Sequence, residues 1–157
     1  MNVRHVILAI FLTAALTTPL YAQVQPGEAD DETAMDVIAQ HDDASMAYEL
    51  FGSEYEEFLD GDESVALFVP KDDALDDLDV DEISALDRET LFRRHISTGL
   101  ASQSPIEFIE WFATADGEQI TVSVDDDTVL LNDSATVVEA IAATNGVVYI
   151  IDQTLES

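Results

Sequence analysis

Asp77, Asp79 and Asp81 stand at the alternate positions from which a calcium loop presents its first oxygen ligands. The rest of such a loop is missing. Glu82 occupies the place where the sharp turn demands glycine, and Arg88 the place where a bidentate glutamate would close the shell. The cluster therefore reads as solvated acidic surface. A zinc site has no footing either: there is no cysteine, and His5, His41 and His95 include no pair at i, i+4. Nucleophilic catalysis lacks both a cysteine and a Gly-x-Ser-x-Gly elbow. Carboxylates are so numerous that no single pair marks an acid–base site. Gly52, Gly61, Gly99, Gly117 and Gly146 are isolated, so no phosphate-cradling loop is present. The expectation is a non-enzymatic protein that needs no cofactor and no metal.

The charge balance narrows the partners. The chain holds 34 Asp and Glu against 5 Lys and Arg, a formal net charge of -29. Such a surface repels a phosphate backbone, which excludes DNA and RNA as direct partners. Disorder is excluded by apolar runs and a hydrophobic content of 47%. Self-repulsion on this scale is tolerable where counter-ions are abundant, so adaptation to high salt is expected.

Residues 1–22 have the pattern of an export signal. Arg4 gives the positive start, Val6 to Leu16 the apolar segment, and Leu20-Tyr21-Ala22 a small-residue cleavage site. The apolar run falls short of the roughly 20 residues a spanning helix requires. A secreted or periplasmic protein is expected, with no membrane span after cleavage. Residues 23–32, carrying Pro26 and Gly27, read as a flexible lead, and residues 33–157 as one domain.

Within that domain, Thr33 to Asp36 predicts a helix start, and Met46, Ala47, Leu50 and Phe51 share one helical face. Ser53 to Glu56 predicts a further capping box, opening a helix that carries Tyr55, Phe58 and Leu59 inward and stops at Gly61. Val65 to Val69 is an unbroken apolar run ended by Pro70, the mark of a strand buried on both faces. Asp87 is expected to cap a helix over Glu89 to Ile96, and Ser104 to Glu107 to open another. The last third reads as β: Trp111 and Phe112 begin a strand, Gln119 to Val124 alternates, and Asp125 to Asp127 turns it into Thr128 to Leu131. Asn145-Gly146 is a turn signal delivering the chain into Val147 to Ile151, a second doubly buried strand. Asn132-Asp133-Ser134 is formally a glycosylation sequon, and the same residues read as a turn.

Three of these stretches, in this order, resemble the signature motifs of the fasciclin-type (FAS1) domain family. They are Ala66-Leu-Phe-Val-Pro-Lys-Asp-Asp-Ala-Leu75, Leu91-Phe-Arg-Arg-His-Ile96 and Asn145-Gly-Val-Val-Tyr-Ile-Ile-Asp-Gln-Thr-Leu155. The resemblance covers about Met35 to Leu155. It implies an α+β fold, a wedge-shaped β-sandwich flanked by short α-helices, with Phe68, Pro70, His95, Asn145, Gly146 and Asp152 as structural motif residues. It also implies an adhesion or interaction module whose partner is an extracellular or envelope protein or polysaccharide. Some animal members carry an Asp-Ile pair before the final Asn-Gly. Here Ala140 stands in place of that Asp and Ile141 is kept, which argues against an integrin-type role and leaves Glu139 and Ile141 as candidate partner-binding residues. The competing reading is a soluble periplasmic carrier of a small ligand or cation.

Overall fold

The computed structural model describes residues 31–59, 64–100 and 106–155. The export signal, most of the lead, the Asp60 to Glu63 turn, the Gly61 stop and the Ser104-Pro105 helix start fall outside the described residues, as do the side chains of Ser53 and Phe58.

The chain enters α1 (Ala34–Gln40) through the capping box expected from its sequence. The Thr33 side chain accepts from the Asp36 N–H, and the Asp36 carboxylate accepts from the Thr33 N–H at 3.0 Å. Glu32, the last residue of the lead, is tied to the sheet, its carbonyl accepting from the Thr144 N–H. α2 runs unbroken from Ser45 to Leu59, so the capping box expected at Ser53 starts no separate helix. Just before Ser53 stands Gly52. It is buried in mid-helix, where an added Cβ would come within 3.1 Å of the Met35 Cε, so the missing side chain lets α2 pack closely on α1.

β1 (Val65–Pro70) leads into the single turn α3 (Asp72–Leu75) and then α4 (Ala85–Arg94). α4 begins earlier than expected because Ser84, not Asp87, is its cap. The Ser84 hydroxyl accepts from the Asp87 N–H at 3.1 Å and donates to the Asp87 carboxylate at 2.7 Å. Beyond it come β2 (Ile96–Ser97), a 3-10 turn (Ile106–Phe108), β3 (Trp111–Ala113), β4 (Gln119–Asp125), β5 (Thr128–Leu131), β6 (Ala135–Ala143) and β7 (Gly146–Ile151).

Among the described residues the strands form one sheet of seven, in the order β2-β1-β7-β6-β5-β4-β3. The two runs read as doubly buried strands, β1 and β7, are parallel neighbours at its centre, Val65 opposite Gly146 through Pro70 opposite Ile151. Every residue of both is buried. The sheet curls until its edges approach, and the Ala115 N–H donates to the Ile96 carbonyl at 2.9 Å. One face of β1 and β7 therefore packs against α1, α2 and α4 through Leu67, Val69, Val148 and Ile150. The other faces the inside of the curl, where Phe68 stacks on Phe112 at 4.8 Å and on Tyr149 at 5.1 Å. Tyr149 is pushed up to about 12 by burial and by the nearby Glu107 carboxylate. The β4–β5 turn places Asp126 and Asp127 at positive φ, and the β5–β6 turn does the same with Asn132 and Asp133. These are the twisted hairpin turns that Asn and Asp tolerate.

Candidate functional site

The motif residues converge on the two ends of β1 and β7. At one end, Asn145 joins three elements. Its side-chain oxygen accepts from the Ala34 N–H at 2.9 Å, its amide donates to the Leu59 carbonyl, and its own carbonyl accepts from the Val65 N–H at 2.8 Å. The start of α1, the end of α2 and the start of β1 are thus fixed to one loop. Gly146 follows at φ +148, where a Cβ would lie 1.8 Å from the Val65 carbonyl oxygen. Glycine is required there by close approach as well as by φ, and the positive φ expected of this turn belongs to Gly146 and not to Asn145.

At the other end, Pro70 closes β1 opposite Ile151, and the Lys71 N–H donates to the Ile151 carbonyl at 2.9 Å. Asp152 ties the exit of β7 to the entry of β6, accepting the Thr136 N–H at 2.7 Å. His95, fully buried at the end of α4, sits between these parts. Its Nδ1 lies 2.7 Å from the Leu91 carbonyl, and its Nε2 accepts the Leu155 N–H at 2.9 Å. An accepting Nε2 fixes the neutral tautomer, with Nδ1–H donating to Leu91. Burial, aided by the neighbouring Arg94 charge, pulls His95 down to about 4 against the opposing effects of its Leu91 bond and Asp116. Through these two bonds it links the C-terminal segment to the helix.

The candidate contact residues lie on β6. The strand bulges between Val137 and Glu139, leaving Val138 48% exposed at the break. Glu139 turns toward the helices, where its carboxylate meets the His41 Nε2 at 3.1 Å while the His41 Nδ1 takes the Asp43 N–H at 3.3 Å. Glu139 keeps 43% of its side chain exposed. Ile141, two residues on, is partly buried against the helical core. The structure brings Glu139 and Ile141 onto one face but engages both within the fold. The His41 contact has no sequence signal, since 98 positions separate the partners. Sequence reading also gave no special place to Trp111 and Phe108, which are 53% and 75% exposed beside the sheet edge.

Around these features the surface is acidic. Lys71 reaches Asp43 at 3.4 Å, Arg93 reaches Glu89 at 2.8 Å, and Arg94 reaches Asp116 at 2.9 Å. Burial works against ionisation of Asp116, yet hydrogen bonds from Thr114, Arg94 and the Glu118 N–H hold its carboxyl below the ordinary value. Arg88 donates to the Val80 carbonyl. Among the described residues no three acidic or histidine side chains converge as a metal requires, and no helix is long and apolar enough to cross a membrane. Asn132 of the formal sequon stands at positive φ in the β5–β6 turn, and its side chain accepts the Thr121 N–H of β4 at 2.9 Å.

A family model for the fasciclin domain matches residues 42–157. Among solved structures, a FAS1 domain pair from the insect cell adhesion molecule fasciclin I superposes with a TM-score of 0.61 at 18% identity. The match covers 80% of this chain and 51% of that one, so the chain spans about half the length of the insect pair. No curated protein is similar enough to register as a relative.

Proposed function

We propose, from the premise that the chain belongs to the fasciclin domain family, that it is an interaction module that attaches to an extracellular or envelope protein or polysaccharide. The family match over residues 42–157 carries this reading. Fasciclin domains occur in adhesion and interaction modules, and the family is in general non-enzymatic. The proposal extends that character to this chain, together with export through residues 1–22 and operation in high salt. One candidate contact surface, separate from the sheet edge, is the exposed Val138 with the reachable part of Glu139 on β6; Ile141 is partly buried against the helical core.

The test is competition on intact envelopes of the source organism at native salt. Labelled protein beginning at Gln23 is expected to be retained and then displaced by an excess of the same protein unlabelled. Retention that unlabelled protein cannot displace would reduce the contact to non-specific adsorption and overturn the proposal.

A further inference from the structure

Neighbouring antiparallel strands bond at alternate residues, so an edge strand turns every second residue's backbone groups outward. Along β3 the bonds to β4 fall on even-numbered positions. The Val122 N–H donates to the Glu110 carbonyl at 2.8 Å and the Thr114 N–H to the Glu118 carbonyl at 3.0 Å, with Phe112 opposite Ile120 between them. Trp111, Ala113 and Ala115 therefore face the other way, toward β2. Part of that edge is occupied, since the Ala115 N–H meets the Ile96 carbonyl and the Ala113 carbonyl accepts the Ser97 hydroxyl at 2.8 Å. Among the described residues nothing takes the N–H or carbonyl of Trp111, or the N–H of Ala113.

The edges part because the facing chain leaves its strand. After Ser97 it bends at Thr98 and Gly99 and enters a 3-10 turn at Leu100. Between the two walls, residues 97–100 and 111–115, lies a cleft of about 520 Å³. Among the described residues the sheet is thus a nearly closed barrel with an open seam, and one wall of the seam is an edge strand with donors and an acceptor in register for another strand.

We infer that this seam is a strand-addition site for an extended, lysine- or arginine-bearing segment of a partner polypeptide. The backbone groups of Trp111 and Ala113 ask for an extended chain, because only a strand presents its own donors and acceptors at the matching spacing. The Trp111 ring, half-exposed at the mouth, offers apolar surface and a face for a cationic side chain. Charge selects the sign. From His95 to Ser157 the sequence holds no lysine or arginine; Arg93 and Arg94, which lie beside the seam, are engaged by Glu89 and Asp116, and Glu110 and Glu118 flank it in sequence. A second copy of this chain would bring the same excess of negative charge and is disfavoured. The inference rests on the interaction-module reading and gives it a partner class.

Trp111 is the only tryptophan, so its fluorescence reports directly on the seam. The probe is a peptide of alternating lysine and valine, titrated in molar salt where diffuse charge attraction is screened. A saturable fluorescence change at one peptide per protein is expected, and no change would overturn the inference. Methylating alternate peptide nitrogens keeps charge and side chains but removes strand donors, and is expected to weaken binding by about tenfold or more. Equal binding of the methylated peptide in molar salt, or of a glutamate–valine analogue at lower salt where charge is not screened, would overturn the assignment. Ala113→Pro removes an edge N–H that β4 does not use, and is expected to weaken the peptide by a similar factor with the melting transition retained. Association of the protein with itself through Trp111, without peptide, would also overturn it by making a second copy the occupant. Unchanged envelope retention by Ala113→Pro would sink the seam and leave the module reading standing. Absence of retention by the parent protein would sink that reading even if the peptide binds.

Discussion

His95 and Gly146 show how single residues set the limits of this fold. His95 is held neutral by donating to the Leu91 carbonyl and accepting from the Leu155 N–H. Its ordinary value of 6.5 is pulled down to about 4 in the fold. The unfolded chain therefore takes up this proton first as pH falls. Its contribution is complete above 6.5 and is lost between 6.5 and 4, at up to about 1.4 kcal/mol per pH unit. Relieved repulsion among protonating carboxylates works in the opposite direction at lower pH, so the effect is isolated by comparison with a variant. His95→Leu is expected to cost about 2–4 kcal/mol at neutral pH, with a gap from the parent that narrows as pH falls toward 5. A gap independent of pH, measured by urea unfolding, would show that the imidazole is not held neutral. Two glycines at positive φ among the described residues give a second comparison. At Gly146 a side chain meets the Val65 backbone, whereas at Gly117 (φ +89) an added Cβ meets nothing within 4 Å. Gly146→Val should cost more than about 3 kcal/mol or prevent folding, and Gly117→Ala only about 1 kcal/mol. Similar costs at the two sites would mean that close approach is not what position 146 demands.

Between elements, Asn145 forms a tie through its side chain, which bonds to both Ala34 and Leu59. Asn145→Asp keeps the shape and the acceptor for Ala34 but replaces the donor to Leu59 with a second acceptor. A loss of about 2–3 kcal/mol is expected, with faster amide exchange at the end of α2 than in β7. Uniform loosening of the whole molecule would show that Asn145 acts only as a turn residue. The sequence made β1 and β7 legible because burial on both faces leaves an unbroken apolar run, and Thr33 because a capping box is local. It introduced a second helix start at Ser53 within α2 and misplaced the start of α4, where several Ser and Asp residues offer competing caps and the bond at Ser84 decides. β4 was misleading in one respect: Val124 continues the apolar alternation of Ile120 and Val122, yet is 50% exposed. Of the candidate site, Glu139 and Ile141 were reached only through their place in the family resemblance. The His41–Glu139 pair and the seam beside Trp111 arise from contacts between residues distant in sequence, which no local pattern encodes.

For the whole molecule, charge and fold state the same expectation from different directions. A chain with a formal charge of -29 that packs two apolar layers around one sheet must offset strong self-repulsion. Its melting temperature should rise by several degrees from dilute buffer to molar salt, and an unchanged value would remove the case for high-salt adaptation. Screening also weakens long-range attraction, so a partner engaged in high salt must be held by short-range contacts such as strand pairing and apolar burial. The central claim is that this fasciclin domain works by attachment. The measurement that tests it most directly is a binding isotherm of labelled protein, from Gln23 to Ser157, on intact envelopes of the source organism at native salt. The account predicts a curve that saturates at a fixed number of sites. A curve that stays at background across the titration would contradict it and return the molecule to the reading of a soluble carrier.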